Sequence, residues 1–215
     1  MTVKAQGAAE FVPDDADLET LRSAVQGCRG CDLHRHATQA VFGEGPKRAA
    51  VLLVGEQPGD KEDLRGAPFV GPAGKLLDRA LAEAGFDRAT VYLTNAVKHF
   101  KFEERGKQRI HKKPGRTEVV ACLPWLLAEV DRVRPRLIVC LGATAAQAVL
   151  GTAFRLTKQR GELVDPGPGD FAGQRVVATI HPSAVLRSRD RDADYAGLVD
   201  DLRAAASLAG QVSAH

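Results

Sequence analysis

No run of 18 consecutive apolar residues occurs anywhere in the 215-residue chain, so no segment reads as a membrane-spanning helix. The first ten residues also lack the basic, apolar and small-residue sections of a secretory signal, which makes a cytoplasmic protein the expectation. Cysteine is scarce. Four thiols without a secretory signal read as metal ligands or buried side chains, not as a disulfide framework. Neither sign of charge dominates: a net charge of +3 is too small to define a partner by itself. Internal repeats, low-complexity tracts and a convincing linker are absent as well. With 44% hydrophobic residues, the chain is long enough to bury one core. The expected organisation is one domain at residues 17–210 between tails at 1–16 and 211–215.

What charge there is sits unevenly. Between Lys98 and Arg116 stand eight Lys or Arg against two Glu, which makes that stretch a candidate for meeting phosphates. Hydrophobic spacing elsewhere alternates between helix and strand. Leu18, Leu21, Ala24 and Val25 fall at helical spacing within residues 17–26, and the pattern stops at Gly27. Residues 49–54 form a short apolar run that predicts a strand buried on both faces. A Gly, Pro and acid-rich loop is expected at 55–72, a helix at 73–84 and a second strand at 91–95. A long polar loop at 96–116 precedes a helix at 117–133, with Thr117 as its cap candidate. A third strand at 136–141, a helix at 143–150, a surface loop at 165–170, a fourth strand at 175–180 and a closing helix at 193–208 complete the pattern.

Strands alternating with helices predict an α/β fold: a three-layer sandwich around a four-stranded, mostly parallel sheet. Ligands of such sheets sit beyond the carboxyl ends of the strands. Each predicted strand runs into polar residues there: Gly55 to Asp60, Asn95, Gly142, and His181-Pro182-Ser183.

Several constellations are candidates for chemistry, each with a plainer reading beside it. Two residues between Cys28 and Cys31 let both thiols face one metal centre, although buried thiols that merely pack are the alternative. A redox dithiol fits less well, because the pair follows a helix instead of opening one after a strand. Further ligands would have to come from Cys122, Cys140 or His99, and Cys140 lies in an apolar run that suits the core. The acidic stretch from Gly55 to Asp63 suits a polarised water or a developing cation, or is a solvated turn. Phe69 with Gly71 and Gly74 brings an aromatic ring and backbone amides to a helix start, where an anion or flat ring can approach. Asn95 offers a paired donor and acceptor to a base edge, unless it only forms a turn. Lys107-Gln108-Arg109-Ile110-His111-Lys112-Lys113 is either a solvated basic surface or a phosphate-binding loop carrying a neutral imidazole nucleophile. His181 before Pro182 is exposed at a strand end or satisfied in the core.

Taken together, Cys28-x-x-Cys31, Gly55-Glu-Gln-Pro-Gly-Asp-Lys-Glu-Asp63, Pro68-Phe-Val-Gly-Pro-Ala-Gly74, Thr94-Asn-Ala-Val-Lys98 and His181-Pro-Ser183 resemble the family 4 uracil-DNA glycosylases, in that family's order. Lys98-His-Phe-Lys-Phe102 followed by an insertion ending in Arg109-Ile-His111 resembles the UdgX branch, whose members excise uracil and become covalently joined to the DNA. That branch has Lys-Arg-Arg-Ile-His where this chain has Gln108 in place of the second residue, one positive charge fewer.

The resemblance implies a uracil-DNA glycosylase-like fold and a four-iron, four-sulfur cluster on Cys28, Cys31, His99 and Cys122, leaving Cys140 in the core. It further implies that Phe69 stacks on uracil, Asn95 bonds its pairing edge, and His181 stabilises charge on its oxygen. Glu56 and Gln57 are implied beside the sugar with Asp60 nearby, Gln57 and Asp60 among the uracil-binding residues, Glu56 supporting the cationic sugar or orienting His111, and His111 as the group that captures it. Lys98, Lys107, Arg109 and Lys112 are implied DNA contacts. The partner implied is uracil-containing DNA, preferably single-stranded, since the target base must leave its stack. An exposed DNA groove suits a monomer.

Overall fold

The computed structural model describes residues 7–211. Its elements run α1 (Leu18–Ala24), β1 (Val51–Gly55), α2 (Asp60–Arg65), α3 (Pro72–Glu83), β2 (Tyr92–Asn95), β3 (Phe102–Arg105) and β4 (Gln108–His111). Then follow α4 (Arg116–Val133), β5 (Leu137–Leu141), α5 (Ala143–Leu150), α6 (Leu156–Gln159), β6 (Leu163–Val164), β7 (Val176–Thr179), α7 (Pro182–Arg187) and α8 (Arg191–Gln211). No helix among the described residues is long and apolar enough to cross a membrane.

The four apolar runs become four parallel strands in the order β2-β1-β5-β7. Alternate side chains point to opposite faces of a strand, so each run has to be apolar throughout when both faces are covered. Leu52, Val54, Ile138 and Cys140 pack with α1, α4 and α5, while Val51, Leu53, Val139 and Val177 pack with α3, α7 and α8. Burying each such aliphatic side chain contributes about 1.5–3 kcal/mol, which makes these two layers the main source of stability. The sheet has five strands where four were expected, because β6 adds antiparallel to the edge at β7. Two residues are too few to show a periodicity.

Two predicted loops contain regular structure. The segment at 55–72 holds α2, and the basic stretch at 96–116 holds the β3–β4 hairpin, whose turn passes through Gly106 at φ +59°. A glycine with positive φ opening a two-residue loop is the geometry a tight hairpin favours. Charged residues on both of its faces hide the strand alternation. Helix α4 starts one residue earlier than expected. Gly115 stands at its cap and the Glu118 carboxylate accepts the Gly115 N–H, so Thr117 does not cap it. The described part of the expected N-terminal tail is docked: Ala8 is buried and its N–H donates to the Ala121 carbonyl at 2.7 Å. Residues 1–6 and 212–215 of the expected tails lie outside the described residues.

From β1 the chain steps to β2 on one side and later returns to β5 on the other. Loops leaving the carboxyl ends of β1 and β5 therefore diverge, and a crevice opens between them. Behind β2, the ammonium of Lys98 pairs with Glu129 while also donating to Thr94 Oγ1 at 2.7 Å and the Asn95 carbonyl at 2.8 Å. Glu129 in turn accepts from Gly43 N–H at 2.8 Å and Tyr92 O–H at 3.1 Å. Both charged side chains are fully buried. Removing one partner of a buried pair strands the other, at a cost of about 3–5 kcal/mol. Lys98→Met is therefore expected to lower the unfolding free energy by about that amount in urea titrations. A loss under about 1 kcal/mol would show that the network does not hold this region together.

Candidate active site

The crevice between β1 and β5 opens into a cavity of about 240 Å³ whose lining includes Glu56, His111, Gly142, Thr144, His181 and Arg187. Glu56 follows β1 directly, and one of its oxygens accepts the Thr144 hydroxyl from the start of α5. The other stands 3.6 Å from His111 Nε2. His111 ends β4, half exposed, with the Phe100 ring 6.0 Å away. Burial lowers its pKa, the Glu56 carboxylate opposes that shift, and Arg187 reinforces it. The ring is thus neutral near pH 7, the form with a free lone pair.

His181 caps α7. Its Nδ1 accepts the backbone N–H of Ser183 at 3.1 Å, with Ser183 Oγ at 2.8 Å. A backbone N–H can only donate, so the neutral ring carries its proton on Nε2. Burial, helped by the nearby His111 and Arg187, pushes the His181 pKa down to about 4. The result is a neutral N–H donor held at the cavity by its own helix cap.

Phe69 and Asn95 meet beside it. The Phe69 ring stacks near His181 with centroids 6.3 Å apart. A side-chain carbon at Gly55 would lie 2.3 Å from Asn95 Oδ1 and 2.7 Å from Phe69 Cζ, so only glycine lets both approach the end of β1. Phe69 adopts φ +57°, a left-handed conformation costly for a bulky residue, and its carbonyl fits against Gly74 where any side chain would collide. The Gly71 amide, expected to be open to a ligand, instead donates to Glu62 at 2.8 Å.

The hairpin that presents His111 is fastened at two places. Arg109 donates to Asp60 at 2.7 Å and to Asp63 at 2.6 Å, with its guanidinium over the rings of Phe100 and Phe102. Asp63 is fully buried and also accepts the Thr38 N–H. The Gln57 amide donates to the carbonyls of Lys101 and Lys112, both at 3.1 Å, and accepts from Lys101 N–H at 3.2 Å. Arg109, Asp60 and Gln57 therefore hold the hairpin, where the sequence expectation had them on DNA, sugar or base. Lys98 needs correction as a DNA contact: its side chain has no exposed surface to offer a phosphate. Lys107 is exposed at the hairpin turn, and Lys112 is exposed with Glu103 2.5 Å away. Gln108 faces Arg105 across the hairpin, so an arginine there would set like charges opposite each other.

Cys28, Cys31 and Cys122 come within electrostatic reach of one another. The Lys98 N–H donates to Cys122 Sγ at 3.2 Å and the Trp125 indole to Cys28 Sγ at 3.2 Å. His99, buried, is the next residue along from Lys98. Among the described residues, no three His, Cys, Asp or Glu side chains are gathered to hold a single metal ion. A cubane cluster asks for a wider arrangement, since each ligand bonds a different iron at its own corner. Cys140 sits apart in the core, and burial alone raises its pKa.

The crevice at this parallel-sheet switch point is walled by a carboxylate and two neutral imidazoles, with Asn95 and Phe69 meeting close by, an arrangement suited to bond cleavage by acid–base or nucleophilic chemistry. The family model of the uracil DNA glycosylase superfamily matches residues 42–203, and the chain belongs to that superfamily. It is 38% identical over 174 residues to a type-4 uracil-DNA glycosylase of Pyrobaculum aerophilum, covering 80% of this chain and 85% of that protein. Identity to the type-4 uracil-DNA glycosylase of Thermotoga maritima is 38% over 176 residues, 81% of this chain and 86% of that protein. For the type-4 enzyme of Archaeoglobus fulgidus it is 36% over 175 residues, 79% and 83% respectively.

Sequence reasoning missed Thr144, Asp63 and Arg187. Thr144 had a signal, since it lies just past a predicted strand end. Asp63 was part of the acidic motif but had no visible partner. Arg187 sits one short helix beyond His181, and nothing in its neighbours marks it.

The depressed pKa of His181 has a consequence for stability. In the unfolded chain the imidazole takes a proton near pH 6.5, whereas the folded one refuses it until about pH 4. Stability is therefore lost as pH falls from about 6.5 to 4. Urea midpoints at pH 7 and 5 should drop more for the native chain than for His181→Asn; equal drops would contradict the burial of this ring.

Proposed function

We propose that this chain excises uracil from DNA and that His111 then captures the sugar left behind. The observation that carries the reading is His111 Nε2 standing 3.6 Å from Glu56 at the cavity that His181 also lines. Phe69 stacks on the uracil ring, Asn95 bonds its pairing edge, and the Nε2–H of His181 donates to the uracil oxygen as charge builds there. The bond between sugar C1′ and uracil N1 breaks, and its electron pair leaves with uracil. Glu56, oriented by Thr144, steadies the cationic sugar. The lone pair of His111 Nε2 closes onto C1′, the imidazole loses its remaining ring proton to solvent, and uracil takes one up. Lys107 and Lys112 meet phosphates. The target nucleotide must be out of its stack, so single-stranded DNA is the preferred substrate. Every residue of the site comes from one chain, and a monomer suffices.

Cys28, Cys31, His99 and Cys122 fit a four-iron, four-sulfur cluster. Three are thiols brought together, two of whose sulfurs accept N–H bonds, and a histidine ligand has precedent in mixed-ligand clusters. When bound, the cluster supplies iron–ligand bonds that tie the N-terminal segment, the approach to the hairpin and α4 to one another. Its role in this reading is structural.

Mixing the protein with a labelled single-stranded oligonucleotide containing one uracil, then boiling in detergent, tests the capture. A heat-stable shifted band that disappears in His111→Ala is expected. Unshifted DNA cleaved by alkali at the uracil would replace capture with ordinary hydrolysis, and intact DNA would overturn the reading. Protein purified anaerobically should be brown and contain about four irons per chain; a colourless, iron-free preparation would remove the cluster.

A further inference from the structure

Five of the eight cations between Lys98 and Arg116 are matched within the protein. Lys98 pairs with Glu129, Lys101 with Glu118, Arg109 with Asp60 and Asp63, and both Arg105 and Lys112 with Glu103. Among the described residues Lys107, Lys113 and Arg116 have no such partner. Lys107 is at the hairpin turn, but Lys113 and Arg116 stand together on the rim of a second cavity of about 400 Å³ between α4 and α5. This cavity adjoins the active site: Lys113 and Thr144 line both. Its floor is apolar, made by Val119, Val120 and Leu123. Val120 is 56% exposed, so the floor is open to an incoming group.

A cationic rim over an apolar floor matches a nucleotide, which joins an anionic phosphate to a flat, weakly polar base. Continuity with the cavity of Glu56 and His111 identifies which nucleotide. We infer that the groove between α4 and α5 holds the nucleotide adjoining the target uridine in the same strand, with Lys113 and Arg116 on its phosphate and Val119, Val120 and Leu123 against its base. The inference rests on the uracil-excising reading of the neighbouring site. Its ligand is a continuous single strand of DNA, and the groove sets how much flanking DNA the protein needs.

The test uses single-turnover excision, scored as total uracil loss so that capture and hydrolysis count alike. Four labelled oligonucleotides carry one deoxyuridine: with no flank, with three thymidines on the 5′ side, with three on the 3′ side, and with three on both. One of the two single flanks should lower the half-saturating protein concentration about tenfold, a typical contribution for one stacked or packed base with its phosphate. In Arg116→Gln the salt dependence of that flank's contribution should fall by about 0.7 in log-log slope, the value for one phosphate contact on a single strand. Val120→Asp changes an exposed residue and should remove most of the tenfold gain without involving the rim cations. If both variants keep the full gain and slope while the native protein excises uracil, the groove is not the subsite and the uracil-excising reading stands. If the native protein excises no uracil from any of the four, that reading fails and the subsite fails with it.

Discussion

Asp63 has no exposed surface, and its carboxylate is shared between the Thr38 N–H and the guanidinium of Arg109. The position of His111 depends on that arrangement. A two-stranded ribbon has little stability of its own in water, and this one carries charge on both faces. What makes it a definite structure is its attachment: Arg109 locked between Asp60 and Asp63 with its guanidinium over Phe100 and Phe102, and Gln57 bonded to the backbone of both strands at the open end of the ribbon. Residues that lie beyond β1 thereby fix an imidazole that arrives some fifty positions later in the chain.

The same economy operates beneath β2. Lys98 holds the Asn95 carbonyl with its side chain and a thiol with its backbone, while Glu129 gathers donors from three other positions. One short segment thus carries the amide that meets Phe69, the lysine of the buried ion pair, and an N–H that meets the Cys122 thiol. Such a network is costly to bury and adds little net stability over an apolar core. Its value lies in geometry, because each of its members has only one arrangement that satisfies all the others.

The electrostatics of the cavity follow from burial more than from partners. His181 and His111 are both kept neutral, yet in different surroundings: one has its Nδ1 committed to the cap of α7, the other has its Nε2 3.6 Å from the Glu56 carboxylate. In the proposed reaction these two identical side chains take opposite roles, proton donor and nucleophile, set by their surroundings.

The sequence by itself determined the layers. The apolar run at 49–54 reads as a strand buried on both faces, those at 91–95, 136–141 and 175–180 read as further strands, and the polar residues directly after them converge on one edge of the sheet. That much follows from local periodicity, as do Glu56, Asn95 and His181 at strand ends. Phe69, His111 and the cysteines were candidates by residue type and position, and the resemblance supplied their roles. Tertiary structure alone decided what each charge does. Lys98 and Arg109 look like surface cations in a basic stretch, and Gln57 and Asp60 look like site residues, until Glu129, Asp63 and the hairpin backbone are brought against them. The physical reason is that a charge has no fixed meaning in sequence: whether it meets water, phosphate or a buried partner depends on residues thirty to fifty positions away. Hydrophobic periodicity, by contrast, is written within a few residues of where it acts.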